Sequence, residues 1–281
     1  MRLTFIENLL PRMLRGFLLS LFSKNIQLLF LKRIKMKMLV SIYLFSMFLL
    51  GCQKDPSDGN VVNTDSTALK LLYEYSTDIP EPSGLAYNSK TNTLFAVSDA
   101  NSTVYEIDFS GGIKQSFTIN SKDLEGIVFS ANCDTMYVVD ELNKVVATYL
   151  PGGIKLSSFP VNVATDPKNS LEGITVDNNN HLFVLNEKSP SILLEFVNQK
   201  EIYRRELTYT SDCSDIFYDK ALDCLWMISD ESQKVVKLSK SGQSLAQYSL
   251  PFEKGEGITI VNDKIYIIND GNSKLYVFQK P

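Results

Sequence analysis

Histidine is almost missing from this 281-residue chain: His181 is the sole one. Its lone place after "DNNN" reads as a surface turn and counts against a His-dependent lactonase. No Cys/His spacing suits zinc, and no Gly-rich phosphate loop, nucleophile elbow or metalloprotease helix occurs. Cysteine is scarce as well. Setting Cys52 aside leaves Cys133, Cys213 and Cys224, so at least one thiol is free or bonded to another chain. Cys213 and Cys224 fall in neighbouring predicted strands, out of register. Basic residues are scarce beyond the N-terminus. Residues 1–51 hold eight of the 28 Lys/Arg and one of the 32 acids, Glu7, which leaves the remainder at a net −11. A body that acidic excludes nucleic acid and anionic lipid headgroups as partners and suits cations or basic surfaces. Helical periodicity is lacking after residue 65.

The hydrophobic runs are short too. Leu39–Leu50 is an apolar stretch of twelve residues behind Lys35 and Lys37, too short to span a bilayer. It ends in Leu49-Leu50-Gly51-Cys52, which resembles a bacterial lipobox whose cysteine is lipidated. Residues 1–51 are thus expected to be a signal peptide. Residues 1–35 do not fit one, so translation is expected to start at Met36 or Met38, a long n-region being the alternative. Residues 52–68 are polar, with Pro and Gly, and read as a lipidated cysteine plus a flexible tether. Gln53 after the cysteine points to the outer membrane, facing the periplasm, and "CQKD" also resembles a short surface-export signal.

From residue 69 the chain repeats itself. Aligned on one position, five copies begin near Pro82, Leu124, Leu171, Cys213 and Gly255. The anchors are Gly84, Gly126, Gly173, Asp215 and Gly257, spaced 42, 47, 42 and 42 residues apart. Each copy reads as four strands. A short apolar strand follows the anchor, then a polar turn such as "NSKTN" or "DNNN". A second strand carries a large residue at Phe95, Tyr137, Phe183, Trp226 or Tyr266, expected in the blade core. A third and a fourth strand complete the copy. Four strands every forty-odd residues predict an all-β, five-bladed β-propeller over residues 69–281. A sixth, degenerate blade in 149–170 is the alternative. The last copy lacks its fourth strand, and "LKLLYEYS", 69–76, is expected to supply it and close the ring.

The motifs "EPSGLAYNSKTNTLFAVSD", "LEGI" twice, "LFVLNE", "LWMISDES" and "GEGI" occur in this order. They resemble the SdiA-regulated family of bacterial propeller proteins over residues 69–281. The resemblance implies an envelope-located propeller related to calcium-binding propellers. It implies no agreed catalytic residues.

The repeat also places charge. First strands line the channel of a propeller, and theirs begin at Glu125, Glu172, Asp215 and Glu256. Second strands run back and end at the same mouth with Asp99, Asp140, Glu187, Asp230 and Asp270. Nine carboxylates on one face repel one another unless neutralised, and Ca²⁺ suits an irregular oxygen site. Glu125, Glu172, Asp215 and Glu256 are therefore the expected metal ligands, and the strand-end acids serve as channel-mouth charge or as loop fasteners. Lys188, Arg204 and Arg205 read as solvated loop charges, contact with an anionic ligand being the alternative. No catalytic constellation is visible. The expected function is a lipid-anchored, monomeric binding module for a small ligand or a protein. A calcium-dependent hydrolase of an ester, lactone or phosphoester is the alternative. The chain lacks the Lys/Arg cluster that phosphate would need.

Overall fold

The computed structural model describes residues 67–281 except 165 and 167. The stretches expected to be signal peptide, lipidated Cys52 and tether, up to residue 66, lie outside the described residues. Those described form strands β1 to β21 and no helix.

The expected five blades are present. The first holds β3 (Pro82–Asn88), β4 (Thr93–Ser98), β5 (Thr103–Ile107) and β6 (Ile113–Thr118). The second holds β7 (Leu124–Phe129), β8 (Met136–Asp140), β9 (Val145–Tyr149) and β10 (Lys155–Pro160). The third holds β11 (Leu171–Val176), β12 (Leu182–Asn186), β13 (Ile192–Val197) and β14 (Lys200–Glu206). The fourth holds β15 (Asp215–Asp219), β16 (Cys224–Ser229), β17 (Lys234–Leu238) and β18 (Ser244–Ser249). The fifth has β19 (Gly255–Val261), β20 (Lys264–Asn269) and β21 (Lys274–Gln279). Its outer strand is β2 (Leu71–Ser76), which pairs antiparallel with β21, Leu71 opposite Phe278 and Ser76 opposite Lys274. The ring therefore closes through the first strand of the domain, as expected. The long spacing at 149–170 holds β10 and a loop, with no sixth blade. β1 (Thr67–Ala68) lies parallel to the edge of β18, at the end of the stretch read as tether.

The turns follow from their residues. Asn92, Asn180, Asn262 and Asp263 take positive φ, which Asn and Asp adopt at little cost. The carboxylate of Asp177 accepts the N–H groups of Asn179 and His181, and Asp219 does the same for Ala221 and Leu222.

The apolar core is divided into five clusters, each between two adjacent blades. Phe95 and Phe129 meet edge-on at 4.8 Å between the first and second blades. Of the five aligned large residues, Phe95, Phe183, Trp226 and Tyr266 are buried, and Tyr137 packs half-buried against its cluster. The fifth cluster joins Leu85, Leu94 and Ala96 to Tyr266, Ile268 and Leu275, so the seam between last and first blades is as apolar as the rest. The outer strands, such as β6 and β14, are mostly exposed.

Candidate cation site at the channel mouth

The repeated Glu-Gly step has a backbone cause. Register slips between Leu124 and Ile127, between Leu171 and Ile174, and between Gly255 and Gly257. The first blade slips likewise between Pro82 and Leu85. Each slip is a bulge, which re-aims a side chain. In these four blades the residue before the anchor thereby faces the channel mouth: Ser83, Glu125, Glu172 and Glu256; Ser214 lines it too, from a strand of unbroken register. The anchor glycines serve the neighbouring blade. A Cβ on Gly84 would lie 2.5 Å from the Glu125 carbonyl oxygen, and one on Gly173 would lie 2.5 Å from the Asp215 Cα. Only an absent side chain lets the inner strands approach this closely.

The second strands contribute the other half of the site. Asp99, Glu141, Glu187, Asp230 and Asp270 line the same cavity, whose volume is about 590 Å³. Eleven carboxylates and three lysines line it in all. Two expected residues lie elsewhere. Asp140 points away from the cavity. It accepts Ser121 Oγ at 2.5 Å and the Asn143 backbone N–H at 3.0 Å, which makes it a loop fastener. Successive side chains alternate across a strand, so the mouth position in this blade falls to Glu141. Asp215 is also absent from the lining; backbone N–H groups take both its oxygens.

Neutralisation is lopsided. From the third blade, Lys188 Nζ sits 2.8 Å from Glu187 and 3.0 Å from Glu231 of the fourth. Lys254 Nζ sits 3.2 Å from Asp230 and 3.9 Å from Glu256. Lys188 is thus a cavity residue rather than a solvated loop charge. Arg204 does pair on an outer strand, with Glu201. Asp99, Asp123, Glu125, Glu141 and Glu172, by contrast, have no lysine partner among the described residues. Carboxylate oxygens of Glu125, Glu141 and Glu172 all lie within 4.8 Å of one another. Those of Asp99, Asp123 and Glu125 do the same, so Glu125 belongs to both triads.

The titration of these groups reflects the crowding. Burial, then the charges of Glu125, Glu256, Glu187 and Glu141, push Glu172 well above the usual carboxylate range. Burial raises Glu125 too, against a hydrogen bond from Ser83. Burial raises Glu141 to about 7, Glu256 to about 7 and Asp99 to about 6. Asp99 Oδ1 is buried without a hydrogen-bond partner. Glu172 accepts no hydrogen bond from the described residues. A bound cation would lower the energy of these groups together in their ionised form. The donor set fits such a partner: oxygens only, irregularly placed, at separations that two ligands of one Ca²⁺ adopt.

Sequence reasoning missed Glu141, Asp123, Ser83, Ser214 and the two neutralising lysines. His181 lies away from the cavity, with Nδ1 2.6 Å from Glu195. Cys133, Cys213 and Cys224 are all buried free thiols.

A family model described as SdiA-regulated matches residues 71–205 and 198–280, nearly the whole ring. The chain belongs to the SdiA-regulated family. No curated protein matches its sequence. Among solved structures, a gluconolactonase from Xanthomonas campestris is similar with a TM-score of 0.51 at 11% identity, over 82% of this chain and 100% of that chain. A chain of a nidogen/laminin complex has a TM-score of 0.53 at 14% identity, over 71% of this chain and 76% of that one. A streptogramin B lyase has a TM-score of 0.47 at 16% identity, over 74% and 72%. At these identities the similarity is one of fold. For this SdiA-regulated protein, function must be read from its own residues.

Proposed function

We propose that this protein is a binding module whose acidic cavity holds a divalent cation of the Ca²⁺ class. Glu125, Glu141 and Glu172 supply the oxygens. The observation that carries this reading is their mutual approach within 4.8 Å with no ion pair to a lysine among the described residues, while Glu187, Glu231 and Asp230 are neutralised by Lys188 and Lys254. The bound cation and the rim lysines then present a mixed-charge face to a small anionic ligand or to a protein. In this reading Cys52 is lipidated and tethers the propeller to the outer membrane as a monomer.

A second reading is a calcium-dependent hydrolase. It draws support from Glu256, which stands outside both triads and is held at about 7, where a general base operates. Titration of calcium followed by calorimetry tests the first reading; wild type binds and Glu172→Gln does not. A panel of esters, lactones and phosphoesters with calcium separates the two. Turnover lost in Glu256→Gln supports the hydrolase, and no turnover with intact calcium binding supports the module.

A further inference from the structure

The fourth copy breaks the repeat at Asp215, which stands where the other four have glycine. Its side chain belongs to a residue only 1% exposed. Oδ2 accepts the backbone N–H of Ile258 at 2.8 Å and that of Leu85 at 3.3 Å. Oδ1 accepts the N–H of Ile216 at 2.8 Å. Leu85, Ile216 and Ile258 are the same position in three blades, the residue after the anchor. Three of the five inner strands therefore aim N–H groups at one carboxylate. Burial outweighs these hydrogen bonds and raises the carboxyl to about 8, and the groups that oppose that rise are backbone amides, not a lysine, arginine or histidine.

Converging backbone N–H groups form a concavity that binds anions. Here the amides come from the quasi-symmetry of the strands, so they would stay in place without the aspartate. Glycine is what the repeat carries elsewhere, so the backbone tolerates its loss. Asp215 also marks a boundary. Ser214 lines the acidic cavity, and Ile216 lines an apolar recess of about 250 Å³ at the other end of the inner strands.

We infer that the axis of this propeller is an anion-binding hole, distinct from the cation site, which the chain fills with its own carboxylate. Removing the Asp215 side chain creates a site for a small free monocarboxylate of the formate or acetate class.

The test is chemical rescue in the purified protein. Asp215→Gly is melted in formate and, at equal ionic strength, in gluconate, whose bulk excludes it from the hole. Formate is expected to raise the melting temperature of the variant saturably, by about 2–4 °C or more, and to leave wild type unmoved. A variant that folds but responds alike to both salts, or a wild type that gains as much from formate, overturns the inference. Should Asp215→Gly fail to fold, ¹⁵N spectra of wild type and Asp215→Asn decide. The Leu85 and Ile258 amides should shift together with pH in wild type and stay still in the asparagine variant. Amides that titrate identically in both proteins overturn the inference.

Discussion

Asp140 and Glu141 are neighbours with opposite tasks. The first ties Ser121, Lys122 and Asn143 into the loop beside the mouth. The second faces the cavity within reach of Glu125 and Glu172. Asp140→Ala should therefore destabilise the fold by about 1–3 kcal/mol, since the loop loses the charged, buried acceptor of its hydrogen bonds, while calcium binding persists. Glu141→Gln should do the reverse, keeping or raising apo stability while weakening calcium. Urea unfolding and calorimetry on both variants check the pair. Two adjacent acids at a strand end look equivalent in one dimension. Which of them faces the mouth depends on the pleat: here it is Glu141 and not the expected Asp140, while the strand-end acids expected in the other four blades line the cavity. Asp215 escaped for a related reason. It stands at the anchor itself, one residue after the mouth position, which in this blade is Ser214.

The bulged first strand is the element on which the site depends. Its glycine faces the next blade, so Gly126→Ala would push a methyl group into the backbone at Glu172. The expected cost is about 1–3 kcal/mol, with calcium affinity falling as well because Glu172 shifts. Equal stability of wild type and Gly126→Ala in urea would contradict this. The closing strand β2 is the second decisive element. Without it β21 becomes an open edge, and the half-buried Tyr75 leaves the seam between the fifth and first blades. A chain lacking residues 69–76 should lose its cooperative melt. Both elements could be read beforehand. The period of 42, the Glu-Gly repetition and the missing last strand are one-dimensional marks of a circular fold. The lysine pairing could not be read. Lys188 meets Glu231 across two blades, and a distance of that kind follows only from the twist that brings neighbouring loops together.

At the scale of the whole molecule, five seams hold the ring and one mouth carries excess charge. Glu141 and Glu256 have folded pKa values raised from 4.5 to about 7. A group raised on folding binds its proton more tightly in the native state. Its contribution is thus fully present below the unfolded value and is lost as pH rises through the folded one. The calcium-free protein should therefore lose stability between about pH 5 and pH 8. Calcium should restore it at the upper end, where the ligands are ionised, and do little at pH 5. A melting temperature independent of pH across this window would contradict the crowding of the mouth.

The central claim is that the mouth is a cation site. The most direct measurement is the melting temperature of the protein at pH 8, with calcium and with a chelator. At a hundredfold excess over the dissociation constant, calcium should raise it by about 5–10 °C, and Glu172→Gln should abolish the rise. Superimposable melts with calcium and with chelator would contradict the account and leave the carboxylates as loop fasteners and docking charge.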